Sequence, residues 1–66
     1  MTGRQHEIRE AARSMIERYG RAALQQVDQR IGELREHGEE ETLRLWRDVR
    51  TQVSSMLDAR NDGKTH

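Results

Sequence analysis

Met15-Ile16-Glu17-Arg18-Tyr19-Gly20-Arg21-Ala22-Ala23-Leu24 is the stretch on which the fold turns, because a helical apolar pattern arrives at Tyr19 and leaves Gly20 out of phase. Upstream, Ile8, Ala11, Ala12, Met15, Ile16 and Tyr19 recur at intervals of three and four, the spacing of one helix face. Downstream, Leu24, Val27, Ile31 and Leu34 do the same, with Ala23 on the flank. At about 100° per residue, an unbroken helix would hold the second stripe roughly 100° around the barrel from the first. A single partner surface could not bury both. Gly20 lies at the slip and tolerates the left-handed backbone that ends a helix, so the pattern predicts helix 1 over 4–19 and helix 2 over 21–37. A kinked continuous helix is the alternative, since glycine inside a helix costs only about 1 kcal/mol.

A second break stands at Gly38. Arg35 and His37 precede it, placing a cation and a titratable ring at the carbonyl end of helix 2. Glu39, Glu40 and Glu41 follow, three carboxylates at the positive end of the next helix. Leu43, Leu45, Trp46, Val49, Val53, Met56 and Leu57 then form a third stripe, which predicts helix 3 over 40–60. Glu40–Arg44 and Glu17–Arg21 have the favourable i,i+4 order for ion pairing. Gly32, inside helix 2, either weakens that helix or admits a close crossing. Residues 61–66 carry no apolar anchor and are expected to form a disordered tail.

The reading is therefore all-α: a small three-helix bundle in one domain over 1–60, with a kinked long helical hairpin that dimerises as the alternative. Its expected core is Tyr19, Leu24, Ile31, Leu34, Trp46, Val49 and Val53. Sixty-six residues are few for this task, because a chain of that length buries only roughly 60% of its unfolded surface. Of 21 hydrophobic residues, five are Ala. Wide apolar arcs on helices 1 and 3 exceed what a thin core consumes, so a protein partner or self-association is expected.

Composition removes several chemistries. Cysteine is absent, which excludes disulfides, thiolate metal sites and thiol nucleophiles. No apolar run reaches membrane-spanning length and the first residues do not read as a signal peptide, so the expected setting is cytoplasmic, without a membrane partner. His6-Glu7 opens like a zincin motif, but Glu10 stands where the second His is required. His37 reads as a helix-end residue and His66 as part of the tail, so no metal site is expected. Ser14, Ser54 and Ser55 fall within helices with no glycine elbow and no neighbouring His. The five glycines are scattered singly, with no phosphate-cradling loop. Three short helices also leave little room for a dry pocket, so no enzymatic activity, cofactor or small-molecule substrate is expected.

Charged residues make up 36% of the chain, twelve basic against twelve acidic. Eleven of the basic residues are Arg, yet each predicted helix carries nearly as many carboxylates, so no basic stretch stands out. Helix 2, Gly38 and helix 3 could be a helix-turn-helix in which Arg44, Arg47 and Arg50 read DNA. The glutamates at the start of helix 3 and the zero net charge argue against a nucleic-acid partner. Trp46 with Arg50 is the most informative local pair. Arg50 falls inside the apolar arc, four residues after Trp46, where it can snorkel or lie over the ring. Trp and Arg are also the residues that most often dominate interfaces, so Trp46, Arg50, Met56 and Arg47 are the candidate interface residues.

Tyr19-Gly20, Ala23, Arg30-Ile31-Gly32-Glu33-Leu34, Gly38, Glu39 to Glu41, Trp46, Val49 and Leu57 together resemble a family of short alphaproteobacterial proteins of unknown function. The likeness covers about two thirds of the chain, and the Arg-rich segment 1–18 departs from it. It implies a compact helical domain in a bacterial cytoplasm and carries no activity, cofactor or site residue. The sequence as a whole thus points to a non-catalytic helical interaction module, with a DNA-binding regulator as the alternative.

Overall fold

The computed structural model describes the backbone of residues 2–65 and the side chains of residues 4–59. The described residues are helical almost throughout and contain no strand. Helix α1 spans Thr2–Tyr19, a single turn of 3-10 helix spans Gly20–Ala22, and α2 spans Ala23–His37. Helix α3 spans Glu40–Thr65. The stretch from Thr2 to His37 is thus one joined helical run, and α3 is the other.

The joined run does not continue straight. Thirty-six helical residues would reach about 54 Å, whereas the longest dimension of the molecule is 43 Å. Gly20 makes the turn, with φ +58°. That conformation is inexpensive only without a β-carbon, as the phase slip predicts. The chain does not resume α geometry at once: α2 begins at Ala23 rather than residue 21, because the 3-10 turn absorbs the change of direction. Arg21 therefore leaves the register of α1, and the expected Glu17–Arg21 pair does not form among the described residues.

At Gly38, φ +73°, the break is a complete Schellman motif. The Gly38 N–H donates to the Arg35 carbonyl and the Glu39 N–H to the Leu34 carbonyl, both at 3.2 Å. The Glu39 carbonyl then accepts from the Leu43 N–H at 2.9 Å, opening α3. Glu40 and Glu41 occupy its first turn, where the helix dipole favours them. The helix runs through Thr65, past residue 60 where the sequence places its end. The backbone of 61–65, expected to belong to a disordered tail, instead continues α3, while the side chains of 60–65 and all of His66 lie outside the described residues.

Each α segment touches the other two. The shared interior consists of Ile8, Ala12, Ala23, Val27, Ile31, Val49 and Val53, and the largest side chains enclosed completely are Val27, Val49 and Val53. Ile31, Val49 and Val53 are where the sequence reading places them. Tyr19 is not: it is 41% exposed. Leu24, Leu34 and Trp46 are only partly buried. The reason is thickness. The molecule measures 43 × 27 × 16 Å, and helices about 10–12 Å across can share so narrow a body only if their contact points carry small side chains. Ala12 and Ala23, both wholly buried, belong to that interior. Larger apolar groups, including Met15, Ile16, Leu43, Leu45, Met56 and Leu57, pack around it as a rim.

Gly32 admits no close crossing. A β-carbon there meets nothing within 4 Å, and the backbone is ordinary helix. Gly32→Ala should therefore raise unfolding stability by about 0.5–1 kcal/mol. Gly38→Ala meets equally open space but must hold a positive φ, so it should lower stability by about 1 kcal/mol. Urea unfolding of the two variants checks the opposed signs.

Candidate functional site

Among the described residues, concave surfaces flank α3 on more than one side. The first collects both aromatic residues of the chain. Met15, Arg18 and Tyr19 reach it from α1, Gln26, Gln29 and Arg30 from α2, and Trp46 from α3. Trp46 is half-buried against the core rim, while Tyr19 projects into solvent. The guanidinium carbon of Arg30 lies 5.6 Å from the centroid of the Trp46 ring. At this range the cation is attracted to the ring face, an interaction of roughly 0.5–1 kcal/mol at a wet site. Arg30 also approaches Glu33 at 3.8 Å, one turn along α2.

The cation over Trp46 is thus Arg30, from a different helix, and not Arg50. Arg50 turns to α2, where its Nε donates to Asp28 Oδ1 at 2.6 Å. Both side chains are about half exposed. The pair links α2 to α3 and adds little net stability, as solvent-exposed ion pairs do. Nothing local in the sequence signals it, since 22 residues separate the partners.

The second concavity lies between α1 and α3. Arg4, Gln5, Ile8 and Arg9 line it from α1, and Arg44, Arg47, Asp48 and Gln52 from α3. Arg4 and Arg44 also border an adjoining hollow with Glu7, Glu41, Thr42 and Leu45. Among the described residues, none of the four arginines has a carboxylate partner within 4.0 Å, and the expected Glu40–Arg44 pair is not made.

The four candidate interface residues are therefore dispersed. Trp46 belongs to the aromatic concavity, Arg47 to the arginine-lined one, Arg50 to the ion pair with Asp28, and Met56 to the core rim. Tyr19, Met15 and Arg30 complete the surface around Trp46. The spacing of Met15 and Tyr19 does signal a face shared with Ala11, although the expected place of Tyr19 is the core. The approach of Arg30 depends on how α2 meets α3 and has no local signature.

Among the described residues, no three His, Asp or Glu side chains form a group that could hold a metal ion. No helix of the described residues is long and apolar enough to cross a membrane. Comparison of the chain with protein-family models, with curated proteins and with solved structures finds no match.

Proposed function

We propose that the chain is a non-catalytic helical interaction module: three helices around one thin core, associating through the aromatic concavity with a second copy or another protein. The three-helix arrangement is preferred over a kinked hairpin because of the left-handed turn at Gly20 and the contact of every α segment with both others. The observation that carries the interaction reading is the surface itself. Exposed Tyr19, half-buried Trp46 beneath Arg30, and Met15 gather on one concave face. Aromatic rings, Arg and Met are the groups whose burial dominates protein interfaces. A core whose largest fully enclosed side chains are valines leaves stability to be gained by covering the rim. Kinship with the short alphaproteobacterial family is part of the same proposal.

The DNA-binding alternative is less well supported. It needs Arg44, Arg47 and Arg50 free on α3 to meet a duplex, but Arg50 is engaged by Asp28. Arg44 and Arg47 line the concavity against α1, and the exposed first turn of α3 is acidic.

Sedimentation equilibrium at micromolar concentration tests the proposal. The wild-type chain should show a mass above the monomer, and Tyr19→Glu should return it to the monomer while leaving the helical circular dichroism signal intact. A wild-type chain that is monomeric, together with a Tyr19→Glu variant that also loses no protein from affinity capture, overturns it.

A further inference from the structure

We infer that the concavity between α1 and α3 is a binding site for a small oligophosphate anion. It lies apart from the aromatic face and stands independently of the interaction reading. Charge segregation is the starting observation. The chain is neutral, yet Arg4, Arg9, Arg44 and Arg47 open on one hollow of about 840 Å³ with Asp48 as the lone carboxylate among its lining residues. Two arginines come from each helix, so the site exists only when α1 has docked on α3.

Like-charged guanidinium groups held around a common hollow repel one another, and no carboxylate in the described residues bridges any of the four. An anion placed between them removes that repulsion and accepts their paired N–H groups. Guanidinium forks match phosphoryl oxygens in geometry as well as in charge. Gln5 and Gln52 add amide donors from the same two helices. Size and charge select within the class. Within the lining, four arginines less Asp48 leave three net positive charges, partly offset by Glu7 and Glu41 where Arg4 and Arg44 border the adjoining hollow; a single phosphomonoester supplies about −1.5 to −2, so linked phosphoryl groups reach all four arginines better than one. An extended nucleic-acid strand fits less well. Glu7 and Glu41 stand at the adjoining hollow and end the positive field there. Both aromatic rings, on which bases would stack, lie in the other concavity.

The test is titration of the full chain with pyrophosphate and tripolyphosphate, followed by amide chemical shifts, with ATP as the nucleotide arm. Shifts should concentrate in residues 4–9 and 44–52, and affinity should fall as salt rises. Orthophosphate should bind more weakly. Arg44→Ala/Arg47→Ala and, separately, Arg4→Ala/Arg9→Ala should each weaken binding at least about ten-fold at unchanged helical content, because each removes two charge-assisted contacts. Arg21→Ala, on the connecting turn, should bind as wild type does. ATP equal to tripolyphosphate identifies free oligophosphate as the ligand, and tighter ATP identifies a nucleotide; both support the site. Shifts spread over the arginines of the whole surface, equal affinity in all three variants, or tighter binding of a DNA duplex than of tripolyphosphate would overturn it.

Discussion

Val53→Asp should abolish cooperative folding, leaving a chain with a weak 222 nm signal and no unfolding transition. Val53 is wholly enclosed within the apolar interior that the joined helical run and α3 share. No buried residue among the described ones is polar or charged, so a carboxylate there has no enclosed cation to pair with. Burying an unpaired charge costs several kcal/mol even after the structure relaxes. A domain of this length has only about 3–10 kcal/mol in total, at roughly 0.05–0.15 kcal/mol per residue. The substitution therefore consumes most or all of it. Val53→Ala, which removes about two methylene equivalents, should cost about 2 kcal/mol and keep the transition. A cooperatively folding Val53→Asp chain would show that α3 does not present this face to the other helices.

The second large effect is expected at Trp46. Full burial would make Trp46→Ala cost about 3–5 kcal/mol, but the side chain is only half-buried, so about 2 kcal/mol is the fitting figure. For a domain this small, that corresponds to a fall in melting temperature of roughly 8–16 °C. Trp46→Phe should retain most of the stability, whereas Arg30→Ala should cost about 0.5–1 kcal/mol through the lost cation–ring contact. Circular dichroism melting measures all three without relying on the indole signal. An unaltered melting temperature in Trp46→Ala would place the ring outside the packed rim.

What the sequence discloses about this fold is what is local to it. Gly20 and Gly38 are legible because a left-handed residue announces itself through its neighbours: a stripe that slips phase, or a cation before and a carboxylate after. The positions of Ile31, Val49 and Val53 follow from period alone. Tyr19 was misplaced because a periodic arc treats every apolar residue as a claim on the interior, in proportion to its size. In so narrow a molecule the claim goes to the small ones. Ala12 and Ala23 are enclosed because helices come close there, and the ring of Tyr19 is left at the edge.

Interactions between distant segments were hidden for a different reason. Arg50 has a neighbour four residues away in Trp46, yet it joins Asp28 across the α2–α3 contact. The arginine-lined hollow is a sharper case. Counted along the chain, every stretch is balanced by its own carboxylates; folding brings Arg4 and Arg9 beside Arg44 and Arg47 while Glu10, Glu17 and Asp58 stay off the lining. Neutrality in sequence thus coexists with polarity in space.

The 16 Å dimension carries a consequence for time as well as for form. In a body about one and a half helix diameters deep, the described residues enclose no chamber in which a guest could be shut away from bulk water, and no door whose opening would govern escape. Among the described residues, its concave surfaces are open rims, so no lid has to move before a partner arrives or leaves.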